Sequence, residues 1–145
     1  MNAVLAGCSR RKRRGVQQVA ALDLYEGGCV PALRSYVEAR PRGRAGVFLL
    51  SARYGLLEAD SVVSPYDQAL DLATAERLRS PVGRELDRAL RRLRAEEIVV
   101  LAEPLYLLLC ADVLAAPGRP AVHWFADPAA DFPRAVAVFE RWGWR

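Results

Sequence analysis

The sequence predicts an α/β fold: about four strands in a parallel sheet, with helices on both faces. Two observations predict it. Short apolar runs at residues 3–7, 47–50, 98–102 and 122–125 alternate with longer segments of helical spacing. Such alternation implies strand–helix–strand units around a parallel sheet. The runs are also continuously apolar, as strands covered on both faces are. At 145 residues the chain is one domain's worth, so residues 1–145 are read as a single domain.

Each element follows from local signals. Ala3-Val4-Leu5-Ala6-Gly7 is a β run ending at Cys8-Ser9. Residues 16–25 carry a loose apolar pattern ending at Tyr25, and Glu26-Gly27-Gly28 breaks it. Pro31 suits the first turn of a helix, which would bury Leu33, Tyr36 and Val37 and end at residues 41–44. Val47 to Leu50 is the second strand. Residues 58–73 read as an irregular loop, with Thr74 capping a short helical turn. Ser80-Pro81 reads as an N-cap with proline behind it. From there Val82, Leu86, Ala89, Leu90 and Leu93 recur at helical spacing. Ile98 to Ala102 is the third strand, and Pro104 opens a helix rich in leucine. Pro117-Gly118 breaks that helix, Val122 to Phe125 is the fourth strand, and a last helix runs from about residue 132 to 142.

Composition limits the function classes. Slightly over half the residues are hydrophobic, at 52%, which is enough for a core without metal or disulfides. The three cysteines are scattered and odd in number, which argues against a disulfide framework. One histidine and no ligand-spaced acids give the wrong inventory for a metal site, and no cofactor motif occurs. A short opening strand followed by a basic run reverses the secretory order, and no apolar run has the length to span a bilayer. A cytoplasmic protein without membrane attachment is expected. Net charge is +4, and it is local. Arg10, Arg11, Lys12, Arg13 and Arg14 are consecutive, and without them the 17 acidic residues are in slight excess. One basic loop fits a few phosphates better than an extended nucleic-acid face.

The informative residues fall just after the strands. A parallel sheet puts Cys8-Ser9, Ser51 to Gly55, Glu103 to Tyr106 and Phe125 to Asp127 along one edge, where open α/β sheets bind ligands. Gly7 and Ser9 would let backbone amides approach an anion. Ser51-Ala52-Arg53-Tyr54-Gly55 ends an apolar strand abruptly. A strand-to-turn junction explains Gly55, which would take a positive φ. It does not explain Arg53, suited to a phosphate, or Tyr54, suited to stacking on a ring. Asp67 in Pro65-Tyr66-Asp67 is either a turn residue or a carboxylate over the sheet edge, able to act as base, nucleophile or stabiliser of an oxocarbenium ion. Glu103 is the other acid at a strand end and would complete a pair. His123 lies inside a strand and is read as structural.

Cys8-Ser9 with Lys12, Leu24-Tyr25, Arg34 with Tyr36, Leu50 to Leu57 and Pro65-Tyr66-Asp67 together resemble a family of small bacterial and phage proteins of unknown function. Its signature is C-S-x-x-K, L-Y, R-x-Y, L-S-A-[KR]-[YH]-G-L-L and P-Y-D. That family is distantly similar to the YaaA peroxide-stress proteins and to the core domain of archaeosine synthase. The resemblance covers about residues 3–70. It implies a Rossmann-like domain and chemistry on a nucleobase or its glycosidic bond. It also implies a site lined by Cys8, Ser9, Lys12, Tyr25, Arg34, Ser51, Arg53, Tyr54, Gly55, Tyr66 and Asp67. Where the family often has lysine, this chain has Arg53. A guanidinium stays protonated, so Arg53 is a binder and not a nucleophile.

The expected function is that of an enzyme on a nucleotide or modified nucleobase, hydrolysing or exchanging an N-glycosidic bond. Asp67, Ser51 and Tyr54 are its candidate catalytic residues. Cys8, Ser9, Lys12, Tyr25, Arg34, Arg53, Gly55 and Tyr66 are candidate substrate binders. The alternative is a non-catalytic nucleic-acid-binding module of a stress or phage-defence system.

Overall fold

The computed structural model describes residues 2–7, 12–15, 17–40 and 44–144. Cys8 and Ser9, with Arg10 and Arg11 of the basic run, lie outside the described residues.

The elements in chain order are β1 (Ala3–Gly7), β2 (Val19–Ala20), α1 (Ala21–Leu24), α2 (Val30–Glu38), β3 (Val47–Ser51), β4 (Gly55–Glu58) and β5 (Val62–Val63). They continue with α3 (Leu72–Leu93), β6 (Glu97–Leu101), α4 (Pro104–Leu107), α5 (Ala111–Ala115), β7 (Ala121–Phe125) and α6 (Pro128–Arg141). The main sheet has the order β4-β3-β1-β6-β7. β1 pairs in parallel with β3 and β6, and β6 pairs in parallel with β7. The alternation of apolar runs thus yields the four expected parallel strands.

The sheet nevertheless has five strands, which corrects the expected count of four. β4 folds back antiparallel on β3, with Ser51 opposite Gly55. Gly55 makes this reversal possible. Its φ is +76°, and a Cβ there would stand 3.2 Å from the Val82 side chain. Leu56 and Leu57 were too short an apolar run to stand out beside the motif that precedes them. The expected loop at 58–73 contains β5, which pairs with β2 in a small antiparallel ribbon.

Alternation along each strand divides the core in two. Val4, Ala6, Val47, Leu49, Val99 and Leu101 face α1, α2 and α6. Ala3, Leu5, Phe48, Leu50, Ile98 and Val100 face α3 and the α4–α5 segment. Side chains two apart share a sheet face, so strands of this kind need apolar residues at every position.

Helix boundaries differ from expectation in three places. α3 starts at Leu72, where Asp71 accepts the Thr74 amide at 2.7 Å, and runs through Pro81 without stopping. A proline inside a helix removes one backbone bond, but the buried stripe Ala75, Val82, Leu86, Ala89 and Leu90 is continuous across it. Burial of that stripe outweighs the local break. The leucine-rich helix divides into α4 and α5 around Cys110. α6 starts at Pro128, capped by Asp127, whose carboxylate accepts the Ala130 amide at 3.2 Å. Among the described residues, no helix is long and apolar enough to cross a membrane.

This topology positions the site. The chain leaves the centre at β1, crosses to β3 on one side, and returns to β6 on the other. The carboxyl ends of β1 and β6 therefore flank a topological switch point, the place where open α/β sheets form a crevice.

Candidate functional site

The end of β3 is a closely bonded cluster. Ser51 is fully buried. Its hydroxyl accepts the amides of Arg53 at 3.2 Å and Tyr54 at 3.0 Å. A hydroxyl has two lone pairs and one proton. Both lone pairs are engaged, so its proton goes to the Tyr66 hydroxyl, 2.8 Å away. Tyr66 also bonds the hydroxyl of Tyr25 at 2.8 Å. Tyr25 is fully buried at the end of α1 and bridges to the backbone of Lys12. The Lys12 ammonium lies 4.2 Å from the centre of the Tyr66 ring, an attractive cation–π geometry. Tyr54 meets Tyr66 edge to face at 5.5 Å and donates its hydroxyl to the Ser64 carbonyl at 2.9 Å. Lys12, Tyr25, Ser51, Tyr54 and Tyr66, predicted from separate segments, do come together.

Their arrangement assigns them different work. The tyrosine hydroxyls turn inward and tie the 64–68 loop to β3 and α1. Gln68 adds a bond to the Ala52 carbonyl at 3.3 Å. Ser51 is an anchor, because its hydroxyl has nothing left to offer a substrate. Arg34 stands behind the cluster. It donates to the carbonyls of Leu22 at 3.1 Å and Tyr25 at 2.6 Å, and it pairs with Asp23 and Glu26. It holds the backbone that carries Tyr25. Gly55 packs against α3 through its bare Cα.

Two predicted residues point outward. Arg53 is exposed, with its guanidinium 5.6 Å from the centre of the Tyr54 ring. Asp67 is exposed beside Tyr66 and makes no hydrogen bond or ion pair among the described residues. Among the described residues, Arg53, Asp67 and the half-buried Lys12 are charged groups at this end of the sheet.

The switch point itself holds a cavity of about 100 Å³, whose lining includes Gly7, Cys29, Glu103, Tyr106, Asp127 and Ala129. Gly7 shapes it. A Cβ at that position would stand 3.2 Å from the Tyr106 ring, so a side chain there would push the ring back by a few tenths of an ångström. Glu103 occupies the N-cap position of α4 without capping it. Burial pushes the Cys29 thiol up to about 12, which keeps it protonated at neutral pH and removes it as a nucleophile. The loops after β6 and β7 were expected on this edge, but the cavity between them was not legible. Cys29 in particular carries no sequence signal, because it reaches the cavity only through the packing of α2.

Several charges elsewhere are engaged in structure. Glu97 at the start of β6 bonds His123 at 2.7 Å and the indole of Trp142 at 2.9 Å. The His123 bond, opposed by partial burial and helped by Trp142 and Arg141, holds the Glu97 carboxyl below its usual range. His123 is thus structural, as its place in a strand suggested. At the opposite sheet end, Arg44 is gripped by Asp23 and Glu38 at 2.6 and 2.7 Å. Among the described residues, no group of three or more His, Cys, Asp or Glu could hold a metal ion.

The fold and this edge define an α/β protein whose strand ends carry a polar cluster at β3 and a small cavity at the ends of β1, β6 and β7. Within that class, the chain belongs to a family of unknown function, DUF6884, which it matches over residues 3–128. No curated protein matches it.

Proposed function

We propose that the strand-end cleft binds a nucleotide or modified nucleobase, and that the protein hydrolyses or exchanges its N-glycosidic bond. One observation carries the reading. Four separate segments converge on the end of β3, where Tyr66 is bonded to Ser51 and Tyr25, Lys12 lies over the Tyr66 ring, and Asp67 and Arg53 are exposed next to Tyr66 and Tyr54. A Rossmann-like sheet uses that crevice for nucleotides. The motifs of Ser51 to Leu57 and Tyr66-Asp67 resemble a family of unknown function, and that family's distant similarity to the core domain of archaeosine synthase supports the same class.

The roles follow from position. Lys12 and Arg53 attract phosphate. Tyr66, locked by Ser51 and Tyr25, holds the loop that presents Asp67. Asp67 stabilises the positive charge that grows on the sugar as the bond to the base breaks. The bonding pair leaves with the base nitrogen, which takes up a proton. Water then bonds the anomeric carbon and gives its own proton to the carboxylate. In an exchange, a second base replaces water. Glu103 and Asp127 on the same edge repel a long polyanion, which disfavours a nucleic-acid strand as the ligand.

The test is release of free base from a panel of nucleoside monophosphates, followed by chromatography. Asp67→Asn should lower the rate by about a hundredfold or more, the usual scale for a positioned acid–base group. Release that Asp67→Asn leaves undiminished overturns the role of Asp67. No release across the panel overturns the activity.

A further inference from the structure

We infer that β7 is the seam of a two-fold dimer, in which it pairs antiparallel with β7 of a second copy of this chain about an axis at His123. The inference is independent of the nucleotide reading above.

The strand offers an open edge. Among the described residues, β7 is the outermost strand on its side of the sheet. Its odd-numbered residues bond to β6. Ala121 donates its amide to the Glu96 carbonyl at 2.9 Å, and the Phe125 carbonyl accepts the Ala102 amide at 3.2 Å. Val122 and Trp124 therefore turn their N–H and C=O groups away from β6, as alternate residues of a strand do. Among the described residues, nothing bonds those four groups. A strand added beside β7 would lie three spacings from β1, roughly 14 Å. The five chain steps from Gly7 to Lys12 reach at most about 18 Å, too short to go there and return.

The edge is also unguarded. Exposed edges are usually blunted by charge, proline or a bulge. The opposite edge strand, β4, ends in Glu58, which Arg92 holds at 2.7 Å. β7 carries no acid, lysine or arginine, and its pairing with β6 is unbroken over five residues. His123 is turned to Glu97. Trp124 is 43% exposed, and an exposed indole is a frequent anchor of interfaces.

The same edge turned round fits this one. An axis at His123 sets Val122 opposite Trp124 of the second copy, and Trp124 opposite its Val122. Each pair exchanges two hydrogen bonds, so all four open groups of each chain are used. Val122 and Trp124 share a sheet face, and the indole packs across the seam on a valine, a stabilising cross-strand pair. Charge agrees with this register. Arg119 comes opposite Asp127 of the second copy, once on each side of the axis. Both are exposed, and Arg119 makes no ion pair among the described residues. Asp127 spends Oδ1 on the Ala130 amide and keeps Oδ2 for a guanidinium. An axis moved to Val122 loses these matches. It sets Pro120, which has no N–H, against Trp124, and Arg119 against Phe125. A strand of another protein could take the main-chain bonds, but the paired charges select a copy of this chain, as an isologous contact requires.

The experiment is sedimentation equilibrium of the full chain from roughly 1 to 500 µM, a range suited to a seam this small. We expect the mass to rise from 16.0 kDa to twice that value, half-associated at roughly tens of micromolar. Val122→Pro removes an outward N–H and keeps every bond to β6, so it should fold as the parent does and remain a single chain throughout. Arg119→Glu turns two attractive pairs into two repulsive ones and should weaken association about tenfold. His123→Cys tests the axis. Residues facing each other in a non-hydrogen-bonded pair have Cα atoms about 4.5 Å apart, within reach of a disulfide. In a Cys8→Ser background, oxidation should give a covalent dimer with His123→Cys and none without it. A single-chain mass at every concentration overturns the inference. Association that Val122→Pro or Arg119→Glu leaves unchanged, or that gives no disulfide with His123→Cys, places the contact elsewhere and overturns it too. Should Val122→Pro fail to fold, Arg119→Glu and the disulfide decide.

Discussion

The β3 and the β6–β7 strand ends are built in opposite ways. On the β3 side, Ser51, Tyr66, Tyr25 and Tyr54 use their polar atoms on one another and on the backbone. On the β6–β7 side, Glu103 has no cap bond to make, and Asp127 has one oxygen in reserve. A polar group bonded within the protein supports shape, and one left open to a cavity is available to a ligand. The contrast separates residues that hold the site from residues that meet a substrate, although both kinds stand out equally in the sequence as polar groups after an apolar strand.

The sharpest way to break this contrast is Ser51→Ala. It strips the Arg53 and Tyr54 amides of their acceptor and removes the Ser51 bond to Tyr66. The expected cost is about 3 kcal/mol, the scale of several part-buried polar groups left unpaired. Urea unfolding measures it, with Glu103→Gln as the counterpart, expected within about 0.5 kcal/mol of the parent because it disturbs no bond. Equal losses for the two variants would erase the distinction between the two strand ends.

Gly55→Ala tests the turn beneath the cluster. A side chain at φ +76° is strained, and its Cβ presses on Val82 at 3.2 Å. A loss of about 2 kcal/mol is expected, within the range for a non-glycine residue held in that region. An unchanged unfolding midpoint would mean that the reversal into β4 does not depend on glycine.

The smallest effect should come from acid. Asp23 holds the back of the cluster through Arg44 and Arg34. The Arg44 hydrogen bond, against some desolvation, keeps the Asp23 carboxyl below its ordinary value. A carboxyl depressed in the folded state stabilises the fold above its unfolded value of about 3.9. That stability is lost as pH falls through the lower folded value. Unfolding followed as a function of pH should therefore steepen below about pH 4, and Asp23→Asn should flatten that limb. An identical acid limb in the variant would show that the pair with Arg44 adds nothing.

The parallel strands were readable because the cause is local. A strand buried on both faces must be apolar throughout, and the residues after it must turn. The same logic marks Ser51, Arg53 and Tyr54 as polar groups at a strand end, whereas Tyr66 and Asp67 lie in a loop and join them through the motif resemblance. β4 was missed because its four residues pair only when Gly55 reverses the chain. α3 was started late because Pro81 is a strong local stop that a continuous buried stripe overrides. Those are tertiary outcomes, set by partners distant in the chain.

From the residue order alone came the fold class, the edge of the sheet that carries the polar loops, and most of the side chains on it. These depend on periodicity and on residue chemistry, which are written along the chain. Packing alone decided which of those side chains face inward. Ser51 anchors, Arg34 supports and Gly55 turns, while Glu103 and Asp127 open onto a cavity. A hydroxyl or a carboxylate looks the same in a sequence whether its lone pairs are engaged or open, and only the atoms that surround it make the difference.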